Sequence, residues 1–133
     1  MADKTGLLII DHGSRRPDAN RVVRQIAAMV REKSRFLIVQ HAHMELAEPT
    51  IQQGFETCVE AGADAIVVQP YFLGPGRHST NDIPRMVREA ARNHPQVTIC
   101  LSAPLGPHPK MGELILERIR EAGILRSQTD AES

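Results

Sequence analysis

GLLIIDHGSRRP, residues 6–17, decides the fold, because four consecutive apolar residues are followed at once by charged residues, histidine, glycine and proline. An apolar run this short does not form a buried helix and is typical of a strand covered on both faces. Three further runs of the same kind follow along the chain. The sequence therefore predicts four strands, near residues 6–11, 36–41, 65–70 and 97–102.

The segments between these runs have apolar residues at helical spacing, and each has one apolar stripe. Pro49 and Pro109 are predicted to begin the second and fourth helices, and Ser79 with Asp82 resembles a capping box at the start of the third. Alternating strands and helices predict an α/β domain, a four-stranded parallel sheet with helices on both faces. We expect this domain to cover residues 1–125 and residues 126–133 to form a flexible tail.

Composition excludes several classes of protein. The 133 residues carry 16 Lys and Arg against 16 Asp and Glu, aromatic residues make up 3%, and there is no Trp. These values disfavour a nucleic-acid binder or a membrane-surface binder. The N-terminus lacks the pattern of a signal peptide, so we expect a cytoplasmic protein. Cys58 and Cys100 interrupt apolar stretches and are predicted to be buried hydrophobic residues.

Histidines are concentrated where the predicted strands end. In open α/β sheets the ligand crevice lies outside the carboxyl ends of the strands. Imidazole binds cobalt, iron, nickel and zinc, and a nearby carboxylate can complete a metal site or accept a proton. The alternative is that these histidines cap loops through hydrogen bonds. The histidines in question are His12, His41, His43, His78 and His108.

Other signatures are absent or incomplete. Ser79 replaces the third glycine of a dinucleotide fingerprint, and no P-loop spacing occurs. A histidine phosphatase is disfavoured because the anionic Asp11 precedes His12, and its charge would oppose a phosphate.

Four motifs in order along the chain carry a resemblance to a known family. They are Asp11-His12-Gly13-Ser14-Arg15, residues 45–51 (ELAEPTI), residues 70–78 (PYFLGPGRH) followed by Asp82-Ile83-Pro84, and Pro104-Leu105-Gly106. Together they resemble the CbiX/SirB-type sirohydrochlorin chelatases, and the resemblance runs from about Gly6 to Gly123.

The resemblance implies ATP-independent insertion of cobalt or ferrous iron into sirohydrochlorin, in cobalamin or siroheme biosynthesis. The metal is then a substrate, and no permanently bound cofactor is expected. By resemblance His12, Glu45 and His78 are both the catalytic residues and the metal ligands. Long family members contain two such halves, whereas short members pair as homodimers around a shared cleft. The half-length chain is accordingly expected to form a homodimer.

Arginines and glycines in the same loops are candidates for binding the substrate, whose eight carboxyl arms suit bidentate contacts. The candidates are Arg15, Arg16, Arg77, Gly74 and Gly76. The alternatives are solvated arginines and glycines that only form turns.

The family motifs do not explain the remaining histidines. His43 and His108 are possible auxiliary metal contacts, His41 has no assigned role, and His94 is expected to be solvated at the opposite end of the sheet. A protein that carries the metal or the tetrapyrrole without catalysis would use the same residues, so this alternative remains open.

Overall fold

The computed structural model describes residues 4–77 and 81–125. Its strands are β1 (Thr5–Asp11), β2 (Ile38–His43), β3 (Ala65–Pro70) and β4 (Thr98–Leu101). Its helices are α1 (Pro17–Lys33), α2 (Ile51–Glu60), α3 (Ile83–Ala90) and α4 (Pro109–Glu121), and a single 3-10 turn, Ala91–Asn93, follows α3. Pro109 begins α4 as predicted, whereas Ser79 and the predicted tail, residues 126–133, lie outside the described residues.

All neighbouring strands are parallel, in the order β2-β1-β3-β4. The predicted α/β fold with a four-stranded parallel sheet is therefore confirmed. The central strand β1 is buried on both faces, which explains its unbroken apolar run. No helix in the described ranges is both long and apolar enough to cross a membrane.

Helices pack on both faces of the sheet, as predicted. The alternate residues Leu7 and Ile9 of β1 pack with Val23 and Ala27 of α1 on one face. Leu8 and the other residues of the opposite face pack with α2 and α3 in the larger core. Because successive side chains of a strand point to opposite faces of the sheet, β1 contributes residues to both cores.

Helix α2 begins at Ile51, two residues later than predicted from Pro49. Thr50 is its N-cap, because the Thr50 side chain accepts a hydrogen bond from Gln53 N and the Gln53 side chain accepts one from Thr50 N. This reciprocal capping box satisfies two backbone donors that the helix leaves unpaired, which fixes the start at Ile51.

Helix α4 packs very little of its apolar surface. Met111, Leu114, Ile115 and Ile119 form a stripe at helical spacing, yet no residue of α4 is buried. Leu114, Ile115 and Ile119 are 50%, 60% and 62% exposed. On the sheet face that α1 covers over β1 and β2, Cys100 of β4 is exposed beside Val67. Within residues 4–77 and 81–125, an apolar helix face and part of a sheet face are therefore left uncovered.

Three sequence expectations were wrong in detail. Strand β2 is shifted by two residues, from 36–41 to Ile38–His43, so His41 and His43 belong to the strand rather than to the loop after it. Cys58 is buried as expected, but Cys100 is exposed because none of the described helices packs on the side of the edge strand β4 that carries it. His94 is not freely solvated, because it is partly buried and its Nε2 contacts the Glu56 carboxylate of α2.

Candidate active site

The carboxyl ends of β1 and β2 hold the first two predicted ligands side by side. Backbone hydrogen bonding between the strands continues beyond their last residues: Met44 N donates to Asp11 O at 2.9 Å, and Glu45 N donates to His12 O at 3.1 Å. Residues 12 and 45 are therefore fixed next to each other by the backbone. This placement follows from the topology, since β1 and β2 are parallel neighbours.

His12 Nε2 and Glu45 Oε2 lie 3.9 Å apart, and their side chains are 44% and 55% exposed. This gap is too long for a hydrogen bond. One divalent ion can contact both atoms, at metal bonds of about 2.0–2.2 Å as in zinc sites, after a small shift of the half-exposed side chains toward each other. The described residues include no group of three potential ligands, and His78, the third predicted ligand, lies outside them.

A buried polar pair, which sequence reasoning missed, lies behind these two ligands. His43 is 1% exposed, and its Nδ1 lies 2.5 Å from Asp11 Oδ1, so the imidazole donates its Nδ1 proton to the carboxylate. The pair joins the last residue of β1 to the last residue of β2, in register. His43 is thus anchored between the strands. The only sequence signal was a polar residue at the end of each of two apolar strands.

His41 lies two residues earlier on the same strand, and its ring centroid is 5.8 Å from that of His43. Burial lowers the pKa of His41, and the neighbouring charges of His43 and Arg24 lower it further, against a smaller opposing effect of Asp11. These surroundings favour a neutral His41 imidazole.

Gly13 allows the two loops to approach closely. Its φ is +94°, and a Cβ added there would lie 1.9 Å from the Glu45 carbonyl oxygen. Any side chain at this position would push residue 45 away from residue 12. Glycine is therefore required by both the conformation and the space.

Gly13→Ala should lower the free energy of unfolding by about 3 kcal/mol, because it combines a positive φ with a backbone clash. Chemical denaturation measures this loss. Gly112→Ala is the matched control: a Cβ there meets no atom within 4 Å, and alanine favours the helix. Equal free energies of unfolding for Gly13→Ala and the control would show that the loop accommodates a side chain without loss of stability.

The predicted substrate-binding residues occupy the same end of the sheet. Arg15 and Arg77 are exposed, and Arg16, the N-cap of α1, pairs with Asp18 at 3.2 Å. Gly74 and Gly76 do not adopt a positive φ. The five residues thus share one end of the sheet, and their role in substrate binding stays a prediction.

The two outlying histidines have structural partners. His108 is the N-cap of α4, and its Nδ1 accepts a hydrogen bond from Lys110 N at 3.1 Å. His94, at the other end of the sheet, pairs with Glu56 and packs against Phe55, with ring centroids 6.0 Å apart. Hydrogen bonding and packing of this kind are usual for histidines outside active sites.

Comparison with known proteins shows the family to which the chain belongs. The CbiX family model matches residues 6–122, which run from the second residue of β1 through α4 and include all three predicted ligand positions. The chain belongs to the CbiX family. Among curated CbiX relatives, the chloroplastic sirohydrochlorin ferrochelatase of Arabidopsis thaliana is 42% identical over 90% of this chain and 53% of its own length. The sirohydrochlorin cobaltochelatase of Methanopyrus kandleri is 34% identical over 87% of this chain and 95% of its own.

Solved structures related to the CbiX family share the fold. SirB from Bacillus subtilis with Fe3+ has a TM-score of 0.84 and 30% identity, and the match covers 92% of this chain and 48% of SirB. A putative cobalamin biosynthesis CbiX protein from Marinobacter aquaeolei has a TM-score of 0.73 and 29% identity, over 88% of this chain and 95% of that one. The chain thus spans about half the length of the plant relative and of SirB, and nearly the whole of the short relatives.

Proposed function

We propose that this protein inserts cobalt or ferrous iron into sirohydrochlorin without ATP. The observation that carries the proposal is the 3.9 Å gap between His12 Nε2 and Glu45 Oε2, at the carboxyl end of the sheet of a CbiX-family chain. Imidazole and carboxylate together suit first-row divalent metals. The names of the plant and archaeal relatives, a ferrochelatase and a cobaltochelatase, support this choice of reaction and of metals.

The chemistry of the reaction matches the two side chains. Insertion of M²⁺ breaks two pyrrole N–H bonds, forms metal–nitrogen bonds to the macrocycle, and releases two protons. Neutral His12 holds the arriving ion, and Glu45 offsets its charge and accepts a pyrrole proton. Because Glu45 is half-exposed, it can pass this proton to water before it accepts the second. His78 is proposed as the third ligand, by the family motif.

The macrocycle needs a surface larger than the two ligands. We propose that Arg15, Arg16 and Arg77 bind its carboxylates. Gly74 and Gly76 would allow the backbone to approach its flat face closely. These arginines lie on loops after β1 and β3, on the side of the sheet where the metal would be held. Arg16 would break its exposed ion pair with Asp18 and bind a substrate carboxylate instead. Little stability is lost, because surface ion pairs contribute little.

The active form is proposed to be a homodimer, in which two copies face a shared cleft. Two surfaces favour a second copy as the partner. The apolar stripe of α4 is exposed, and Cys100 of β4 is exposed on the sheet face where no helix of the described ranges covers it. In a two-fold dimer, the apolar stripe of α4 of each copy can pack on the exposed sheet face of the other copy.

Anaerobic incubation with sirohydrochlorin and either Co²⁺ or Fe²⁺ tests the function, with the visible spectrum of the product as the readout. The expected result is metal insertion well above the spontaneous rate with at least one of the two metals. Binding of sirohydrochlorin without acceleration would instead show a carrier and would refute the proposed activity. Co²⁺ activity would fit cobalamin biosynthesis and Fe²⁺ activity would fit siroheme biosynthesis. Location in the cytoplasm stays a prediction.

A further inference from the structure

A second hollow, separate from the gap between His12 and Glu45, opens beside the end of β2. Its volume is about 390 Å³, and it lies between α1 and β2. Helix α1 starts at the carboxyl end of the sheet, so this hollow faces the same side as the proposed metal site. The lining side chains that carry charge or titrate are Arg21, Arg24, His41, His43 and Glu48.

The hollow has an excess of positive charge. Arg21 and Arg24 are neighbours on one face of α1, three residues apart. In the part of the chain that the structure describes, neither guanidinium has a hydrogen bond or an ion pair with a side chain of opposite charge. Glu48, the one carboxylate in the lining, already accepts a hydrogen bond from Gln53 Nε2 at 3.1 Å.

The far wall of the hollow is rigid and polar. His43 is almost completely buried, lines the hollow, and is held by Asp11 at 2.5 Å. His41 lies next to His43 and close to Arg24, whose positive charge contributes to lowering the pKa of His41. A preformed wall of this kind binds a ligand without ordering new side chains.

The charges that line the hollow favour a negatively charged ligand. A metal ion is disfavoured because two unpaired guanidiniums would repel it. An anion with two oxygens in one plane fits best, because arginine forms bidentate hydrogen bonds with carboxylates. Since the chain has no net charge, this attraction is local to the hollow.

We infer that the hollow formed by Arg21, Arg24 and His41 binds a carboxylate arm of the tetrapyrrole. The inference rests on the proposed function and adds a contact outside the family motifs. The hollow receives only an arm, while the macrocycle lies over His12 and Glu45. Arg21 and Arg24 supply the charge, and His41 supplies a hydrogen bond from its neutral ring. These residues bind the substrate and take no part in proton transfer.

The test is the double variant Arg21→Ala/Arg24→Ala, compared with Arg35→Ala, an exposed arginine at the amino end of β2. The double variant should raise the dissociation constant of metal-free sirohydrochlorin and its KM about tenfold, as expected for the loss of charge-assisted hydrogen bonds at an exposed site. Its kcat should change little, and Arg35→Ala should match the unchanged protein. The double variant Arg21→Lys/Arg24→Lys should recover part of the affinity.

Several results would overturn the inference. Unchanged affinity in a folded alanine double variant would show that the hollow does not bind the substrate. Dissociation of a dimer in this variant alone, observed by light scattering, would show that the hollow contacts a second copy instead. Failure of the proposed function is a different result: the unchanged protein would then not accelerate metal insertion, although the dissociation constant of metal-free sirohydrochlorin could still be compared among the variants.

Discussion

Replacing His12 by alanine should slow metal insertion at least about a hundredfold, because the ion loses one of its proposed direct ligands. Glu45→Gln should slow insertion by about 10²-fold or more, since it keeps the size of the side chain but loses the charge and the proton acceptor. His78→Ala is expected to match His12→Ala. The measurement is the initial rate of insertion, followed from the visible spectrum under anaerobic conditions.

His108→Asn is the matched control for these variants. His108 lies in the loop after β4 but caps α4, and asparagine is an equally good cap. The control should keep its rate. Affinity for metal-free sirohydrochlorin and thermal stability should also be unchanged in His12→Ala, because the side chain is half-exposed and contributes little to the core. Insertion at the original rate in both His12→Ala and His78→Ala would refute the proposed mechanism.

The double variant Leu114→Glu/Ile119→Glu should convert a dimer into a monomer and abolish most of the activity. Both side chains are at least half exposed in one copy, so glutamate should not unfold the chain. In a dimer that covers the stripe of α4, the same change would bury two unpaired carboxylates, which is strongly unfavourable. Light scattering measures the mass, and the insertion assay measures the consequence for the shared cleft.

Leu37→Glu is the control for the α4 variant, because Leu37 is 72% exposed at the amino end of β2, away from α4. It should remain a dimer with full activity. A monomeric unchanged protein with full turnover would contradict the shared cleft. Retention of the dimer by the α4 variant would show that the two copies meet at another surface.

Local patterns predicted the number and order of the strands and helices, because the buried strands are short apolar runs and each helix has an apolar stripe at helical spacing. The run at residues 7–10 identified β1, and parallel neighbours placed His12 beside Glu45. The start of β2 was wrong for a physical reason. Phe36 is apolar and packs on the core beside α1, but it lies outside the strand.

Contacts between distant residues could not be predicted from the sequence. The bond between Asp11 and His43 joins residues 32 positions apart, and it makes a histidine acceptable in the buried end of β2. The period of α4 predicted an apolar face but not which surface covers it. The hollow beside Arg24 depends on the distance between α1 and β2, which no local pattern contains.

The backbone hydrogen bonds that continue from β1 and β2 into residues 12 and 45 have a thermodynamic consequence. Conformational entropy at these two positions is lost when the chain folds, not when the ion arrives. Binding of a metal by the proposed ligands His12 and Glu45 would therefore not be opposed by ordering of the backbone, and the backbone spacing of the two residues is inherited from the sheet. Loop positions other than Gly13 can therefore vary and still leave residues 12 and 45 side by side, provided that these two bonds are preserved.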